Sequence, residues 1–97
     1  MSHLEACKRA AAGYRETIAY QVAQGDVDPK IIGKKRRDLQ GYDRVIYLHA
    51  RNAYEANQSP ERHDALLAEL DQAEANWRGV SVETVRAEYT MKPFSFS

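Results

Sequence analysis

Four cations recur at intervals of seven residues: Lys30, Arg37, Arg44 and Arg51. On an α-helix that spacing drifts by only about 20° per step, so the four share one face and climb about 31 Å along it. Lys34, Lys35 and Arg36 thicken the line near its start. A positive charge about every 10 Å could follow a phosphate backbone, and the Lys34–Arg37 corner beside a helix start could hold a nucleotide or another small polyanion. The same residues fit an acidic protein surface. They also fit a solvated face laced by one-turn ion pairs such as Lys34–Asp38 and Arg51–Glu55.

Other chemistry is thinly represented. The sequence has no Gly-rich phosphate loop, nucleophile elbow, HExxH or Cys-x-x-Cys. The three histidines, His3, His49 and His63, read as isolated. His49 and His63 flank a turn and could meet across it, where the sharper reading is a shared metal and the plainer one is a pair of hydrogen-bonded imidazoles. Asp38 and Asp43 are not spaced to share a helical face, so they do not form a carboxylate dyad. Cys7 reads as a buried structural thiol with no neighbouring base to activate it. The expectation is no catalytic residue, no metal and no cofactor.

The cations need a helix to align them. Residues 29–57 supply it through an apolar seam: Ile32, Leu39, Ile46 and Ala53 recur every seven, with Tyr42 and His49 three residues after two of them. The cations lie two residues out of phase, about 200° around the helix, and so face away from the seam. Gly33 and Gly41 each cost about 1 kcal/mol relative to alanine, so a break near Gly41 into 29–40 and 42–57 is the alternative. Val45-Ile46-Tyr47-Leu48 is apolar on nearly all sides and in isolation would suit a strand. On a helix, Tyr47, Leu48 and Tyr54 form a second apolar patch away from the seam. That patch needs a further helix or another chain to cover it.

The remaining elements follow from caps and spacing. Ser2 with Glu5 is a capping box that opens a first helix to Gln24, whose stripe Leu4, Cys7, Ala11, Tyr14, Ile18 and Val22 seeks a partner helix. Gly25 closes it. Asp28 as N-cap and Pro29 at the first position open the second. Ser59 and Pro60 open a third helix to about Trp77, apolar at His63, Leu66, Leu67, Leu70, Ala73 and Trp77 and acidic on the other side at Glu61, Asp64, Asp71 and Glu74. Gly79 ends it. Ser81 caps a short fourth helix, Val82 to about Tyr89. Pro93 stops that pattern, and Phe94 and Phe96 alternate with serine in what reads as an extended tail, laid either over its own core or onto a neighbour.

Ninety-seven residues, 43% hydrophobic and 29% charged, suit one small folded domain. Net charge is zero, which removes any global attraction to nucleic acid or membrane. Residues 1–57 nevertheless carry 10 Lys and Arg against 7 Asp and Glu, and residues 58–97 carry 4 against 7. One cysteine permits no internal disulfide and fits a reducing compartment. No apolar run is long enough to span a bilayer, and the expected location is cytoplasmic.

The expected fold is all-α: a small antiparallel three-helix bundle built on two long helices over residues 1–90, with a short fourth helix, and an extended tail over 91–97. The expected function is non-enzymatic protein binding by a small accessory protein that assembles with itself, joins a larger complex or inhibits a target in the manner of phage inhibitors. Its contact residues would be Tyr47, Leu48, Tyr54, Phe94 and Phe96. The alternative is nucleic-acid or nucleotide binding through Lys30, Lys34, Lys35, Arg36, Arg37, Arg44 and Arg51.

Overall fold

The computed structural model describes residues 2–25 and 28–91. Within them the chain is all-helical, with α1 (His3–Gln24), α2 (Pro29–Ala56), α3 (Pro60–Arg78) and α4 (Val82–Met91), and without a strand. The tail bearing Phe94 and Phe96 lies outside the described residues.

Local signals set the helix ends. The Ser2 hydroxyl accepts from the Glu5 amide at 3.1 Å, and the Asp28 carboxylate accepts from the Lys30 amide at 2.9 Å. Gly25 and Gly79 both take φ 72°, the left-handed conformation that closes a helix at no steric cost to glycine. Ser81 accepts from the Thr84 amide at 3.1 Å and starts α4. Ser59 occupies the N-cap of α3 but makes no side-chain cap bond. Its hydroxyl instead donates to Glu61 at 2.8 Å, which holds that carboxyl below its usual value.

No break occurs at Gly41, and Val45–Leu48 is helical, so α2 runs unbroken for 28 residues. A methyl group built on Gly41 would meet nothing within 4 Å. Gly41→Ala is therefore expected to stabilise the chain by about 1 kcal/mol, read as a higher urea midpoint with unchanged slope.

The chain divides into two compact units, residues 1–46 and 47–97, with α2 contributing to both. In the first unit Cys7 and Ala11 of α1 are buried, as are Ile32 and Asp43 of α2. Tyr14 stacks on Tyr42 with ring centroids 5.8 Å apart. Leu4 and Ile18 sit half-buried on the expected α1 stripe, but Val22 at its end is exposed. In the second unit Ala50, Leu66, Ala73, Ala75 and Val85 are buried. Tyr47 stacks on Trp77 with centroids 4.9 Å apart and ring planes 19° from parallel.

The seven-residue seam in α2 needs correction. Ile32 is buried and Leu39, Tyr42 and Ile46 are half-buried, but His49 and Ala53 are exposed. A helix of 3.6 residues per turn leaves a strict seven-residue repeat behind by about 20° each time. After three repeats Ala53 has rotated about 60° from Ile32, whereas Asp43 and Ala50 fall almost in line with it. Both are buried. The acidic side expected on α3 also needs correction, because Asp71 and Glu74 are buried. Basic and phenolic partners from the end of α3 and from α4 meet them there.

Candidate binding surfaces

In the first unit, Lys30, Lys34, Arg36, Arg37 and Arg44 are exposed. Lys35 is not part of that display. It is half-buried and donates to Gln21 of α1 at 3.2 Å. Asp38, expected opposite Lys34, instead accepts from the Tyr14 hydroxyl at 3.5 Å, and its negative charge raises the Tyr14 pKa above the ordinary phenol value. Arg37 lines an open hollow of about 490 Å³ between α1 and α2, together with Tyr14, Tyr42 and Val45. His3 and Cys7 also line it, with His3 Nε2 3.7 Å from Cys7 Sγ. The thiol therefore has an imidazole neighbour after all. Their spacing of four residues puts them on one helix face, the local signal that marks the pair in the sequence.

In the second unit the patch expected at Tyr47, Leu48 and Tyr54 is split. Tyr47 and Tyr54 are seven residues apart and share one side of the helix. Tyr47 meets Trp77, and the Tyr54 ring lies 5.6 Å from that of His63. Leu48 is turned about 100° from Tyr47 and is 38% exposed. Helical spacing puts it on the outward stripe, three residues before Arg51. Arg51 itself is exposed and pairs with Glu55 at 3.0 Å, as its spacing predicts.

His63 finds its hydrogen-bond partners close by in sequence. Its Nδ1–H donates to Asp64 at 3.2 Å, and its Nε2 accepts from the Tyr54 hydroxyl at 3.4 Å. A carboxylate can only accept, which assigns the proton to Nδ1. Both ring nitrogens are engaged, and His49 is exposed. Among the described residues no group of three or more His, Cys, Asp or Glu is placed to hold a metal ion.

Where α3 meets α4, the polar groups form a network around the two buried carboxylates. Glu74 accepts from Arg78 at 3.0 Å and from the Tyr89 hydroxyl at 2.6 Å. Arg78 also grips Glu88 with bonds of 3.0 and 2.7 Å. Asp71 pairs with Arg86 at 3.4 Å. This network explains how a helix pair buries acids, since each carboxylate keeps a charge-assisted partner. The Glu74 bond, with burial and the Glu74 charge adding to it, raises the Tyr89 pKa well above 10. A phenol whose folded pKa is raised stabilises the fold fully below the unfolded value, near 10, and loses that contribution as pH climbs through the folded value. Wild-type chain is therefore expected to exceed Tyr89→Phe in stability at pH 8, with the gap narrowing above pH 10 in urea titrations at stepped pH.

Beside this network lies an open groove of about 560 Å³ lined by Tyr54, Leu67, Leu70, Asp71, Arg86 and Tyr89. The Asp71–Arg86 pair marks its polar edge, and the leucines and tyrosines supply the apolar surface. Tyr89 remains 51% exposed even with its hydroxyl bonded. The sequence pattern marked Leu67 and Leu70 as apolar positions but gave Tyr89 no role. Only α4 lying against α3 brings that tyrosine to the groove.

Among the described residues no helix is long and apolar enough to cross a membrane. Compared with protein-family models, curated proteins and solved structures, the chain matches none.

Proposed function

We propose that the chain is a non-enzymatic helical binding protein that acts by docking on another protein, as an accessory subunit, an inhibitor or a partner of its own copies. One observation carries this reading: the groove between α3 and α4 leaves Tyr54, Leu67, Leu70 and Tyr89 facing an open recess of about 560 Å³. A soluble surface that keeps tyrosine and leucine together at a recess has the composition of a recognition site, because such side chains bury much area with little loss of rotamer freedom. Leu48, exposed next to Arg51, offers a second apolar contact with a basic rim.

The scaffold we propose is the small antiparallel three-helix bundle expected from the sequence. The short connections between helices support it. So does the pairing in the first unit, where Gln21 meets Lys35 while Tyr14 and Arg15 meet Tyr42 and Asp43.

A second reading has its own observation. The first unit carries nine Lys and Arg against six Asp and Glu, and Lys30, Lys34, Arg36, Arg37 and Arg44 are exposed. That surface would take nucleic acid or a nucleotide.

The two readings separate by mutation of the chain expressed in its native host. Leu67→Asp and Leu48→Asp are expected to reduce a co-purifying protein partner at least tenfold, while Lys34→Glu with Arg37→Glu leaves it in place at moderate salt. If the charge reversals remove the partner, or if nuclease treatment releases it, the polyanion reading replaces this one.

A further inference from the structure

We infer that the open hollow between α1 and α2 is a modification site, at which Cys7 undergoes thiol–disulfide exchange with a small anionic disulfide. All the residues that form it belong to the first unit, and it does not depend on the docking reading. Cys7 is only 4% exposed, yet it lines the hollow, which is therefore the approach to its sulfur. His3 Nε2 lies 3.7 Å from Cys7 Sγ. With the ring proton on Nδ1, that nitrogen accepts the thiol proton. A thiol with a base in reach, opening onto a recess that a cation also lines, has the surroundings of a reacting cysteine rather than of an inert core thiol.

The rest of the lining selects the reagent. The hollow, about 490 Å³, is of a size that takes a small molecule. Tyr14, Tyr42 and Val45 supply apolar surface. Gly41 lines it too, and a methyl group built there would meet nothing within 4 Å, so the space against α2 is open. Lys34, Arg37, Gly41 and Arg44 follow helical spacing along one stripe of α2, and the three cations are exposed. Among the described residues that line the hollow, Asp38 is the one acid, and it already accepts from the Tyr14 hydroxyl at 3.5 Å. The surplus of positive charge suits the carboxylates of an anionic thiol compound. In the exchange the Cys7 proton passes to His3, and the Cys7 sulfur bonds to one sulfur of the reagent. The reagent's own S–S bond breaks, and its departing thiolate takes the proton from His3. Cys7 is oxidised and the departing sulfur is reduced, so the disulfide itself is the oxidant.

The test follows adduct formation on the full chain by intact mass spectrometry. Cys7 is the only cysteine, so any mixed disulfide reports on it. The probes are oxidised glutathione, which is anionic, and bis(2-hydroxyethyl) disulfide, which is neutral. The ratio of their rates is expected to favour oxidised glutathione about fivefold more in the folded protein than in the urea-unfolded chain, the worth of one charge near the reagent. Arg37→Ala should return the ratio to the unfolded value without slowing the neutral probe. His3→Gln should slow both probes about tenfold, through loss of the base. Gly41→Leu, which fills the hollow from α2, should also slow both. The folded-state rates should stay constant through urea concentrations below the unfolding transition. An inert Cys7 in the folded chain, equal ratios folded and unfolded, or a rate that climbs with urea in step with unfolding overturns the inference.

Discussion

Arg15→Ala is expected to destabilise the chain by about 2–3 kcal/mol, and Asp43→Asn by only about half as much. Asp43 lies on the inward line of α2 with its side chain 3% exposed, and Arg15 of α1 reaches it from a position that is 39% exposed. Removing the arginine strands an anion where water scarcely reaches. Removing the anion leaves a cation that water can solvate and an amide that can still accept its hydrogen bond. The loss is set below the 3–5 kcal/mol of a fully buried pair because Arg15 is partly open to solvent. Urea unfolding followed by circular dichroism measures both variants. Equal losses, or a larger loss for Asp43→Asn, would show that the carboxylate is hydrated rather than held by Arg15.

Trp77→Ala is expected to cost the second unit about 3 kcal/mol, and Tyr47→Ala somewhat less. Their rings stack at 4.9 Å, so the two losses should not add: a double-mutant cycle is expected to show a coupling of about 0.5–1.5 kcal/mol. Trp77 is the only tryptophan, so its fluorescence reports the unfolding of this unit in the wild-type and Tyr47→Ala proteins. Backbone dichroism carries the measurement where the tryptophan is gone. The same result reassigns Tyr47 from contact residue to structural residue. Partner loss on Tyr47→Ala would then report a damaged fold, as would loss on Tyr89→Ala, whose hydroxyl serves the buried Glu74, which is why Leu48 and Leu67 are the better probes of binding.

Helix ends were legible in the sequence because they depend on residues within one turn. Ser2, Asp28, Pro29, Gly25, Gly79 and Ser81 each act locally, and each stands where its chemistry places it. Which side of a helix faces inward was less legible. The seven-residue pattern of Ile32, Leu39, Ile46 and Ala53 is real, but a 3.6-residue helix keeps Asp43 and Ala50 in line and lets Ala53 drift outward. An aspartate on an inward line carries no apolar signal. It becomes acceptable there only because Arg15, 28 residues away, pairs with it. Asp71 and Glu74 read as outward acids for the same reason, since Arg86 and Tyr89, which meet them, belong to another helix. The cations at Lys30, Arg37, Arg44 and Arg51 are exposed as expected, because charge and period agree. The groove was not legible, because no periodicity within α3 shows which of its residues α4 leaves open.

All the surface assignments depend on α2 remaining one helix through Gly41 and Val45–Leu48. That continuity turns Leu48 outward, keeps Tyr47 against Trp77 and sets Lys30, Arg37 and Arg44 along one line. Residue-resolved amide hydrogen exchange, read with Cα secondary shifts over residues 36–52, tests it most directly. The structure predicts helical shifts at every position and exchange protection that continues without a gap through Gly41 and across Ile46–Tyr47. Rapid exchange confined to residues 40–44, or extended-type shifts at Val45–Leu48, would contradict it.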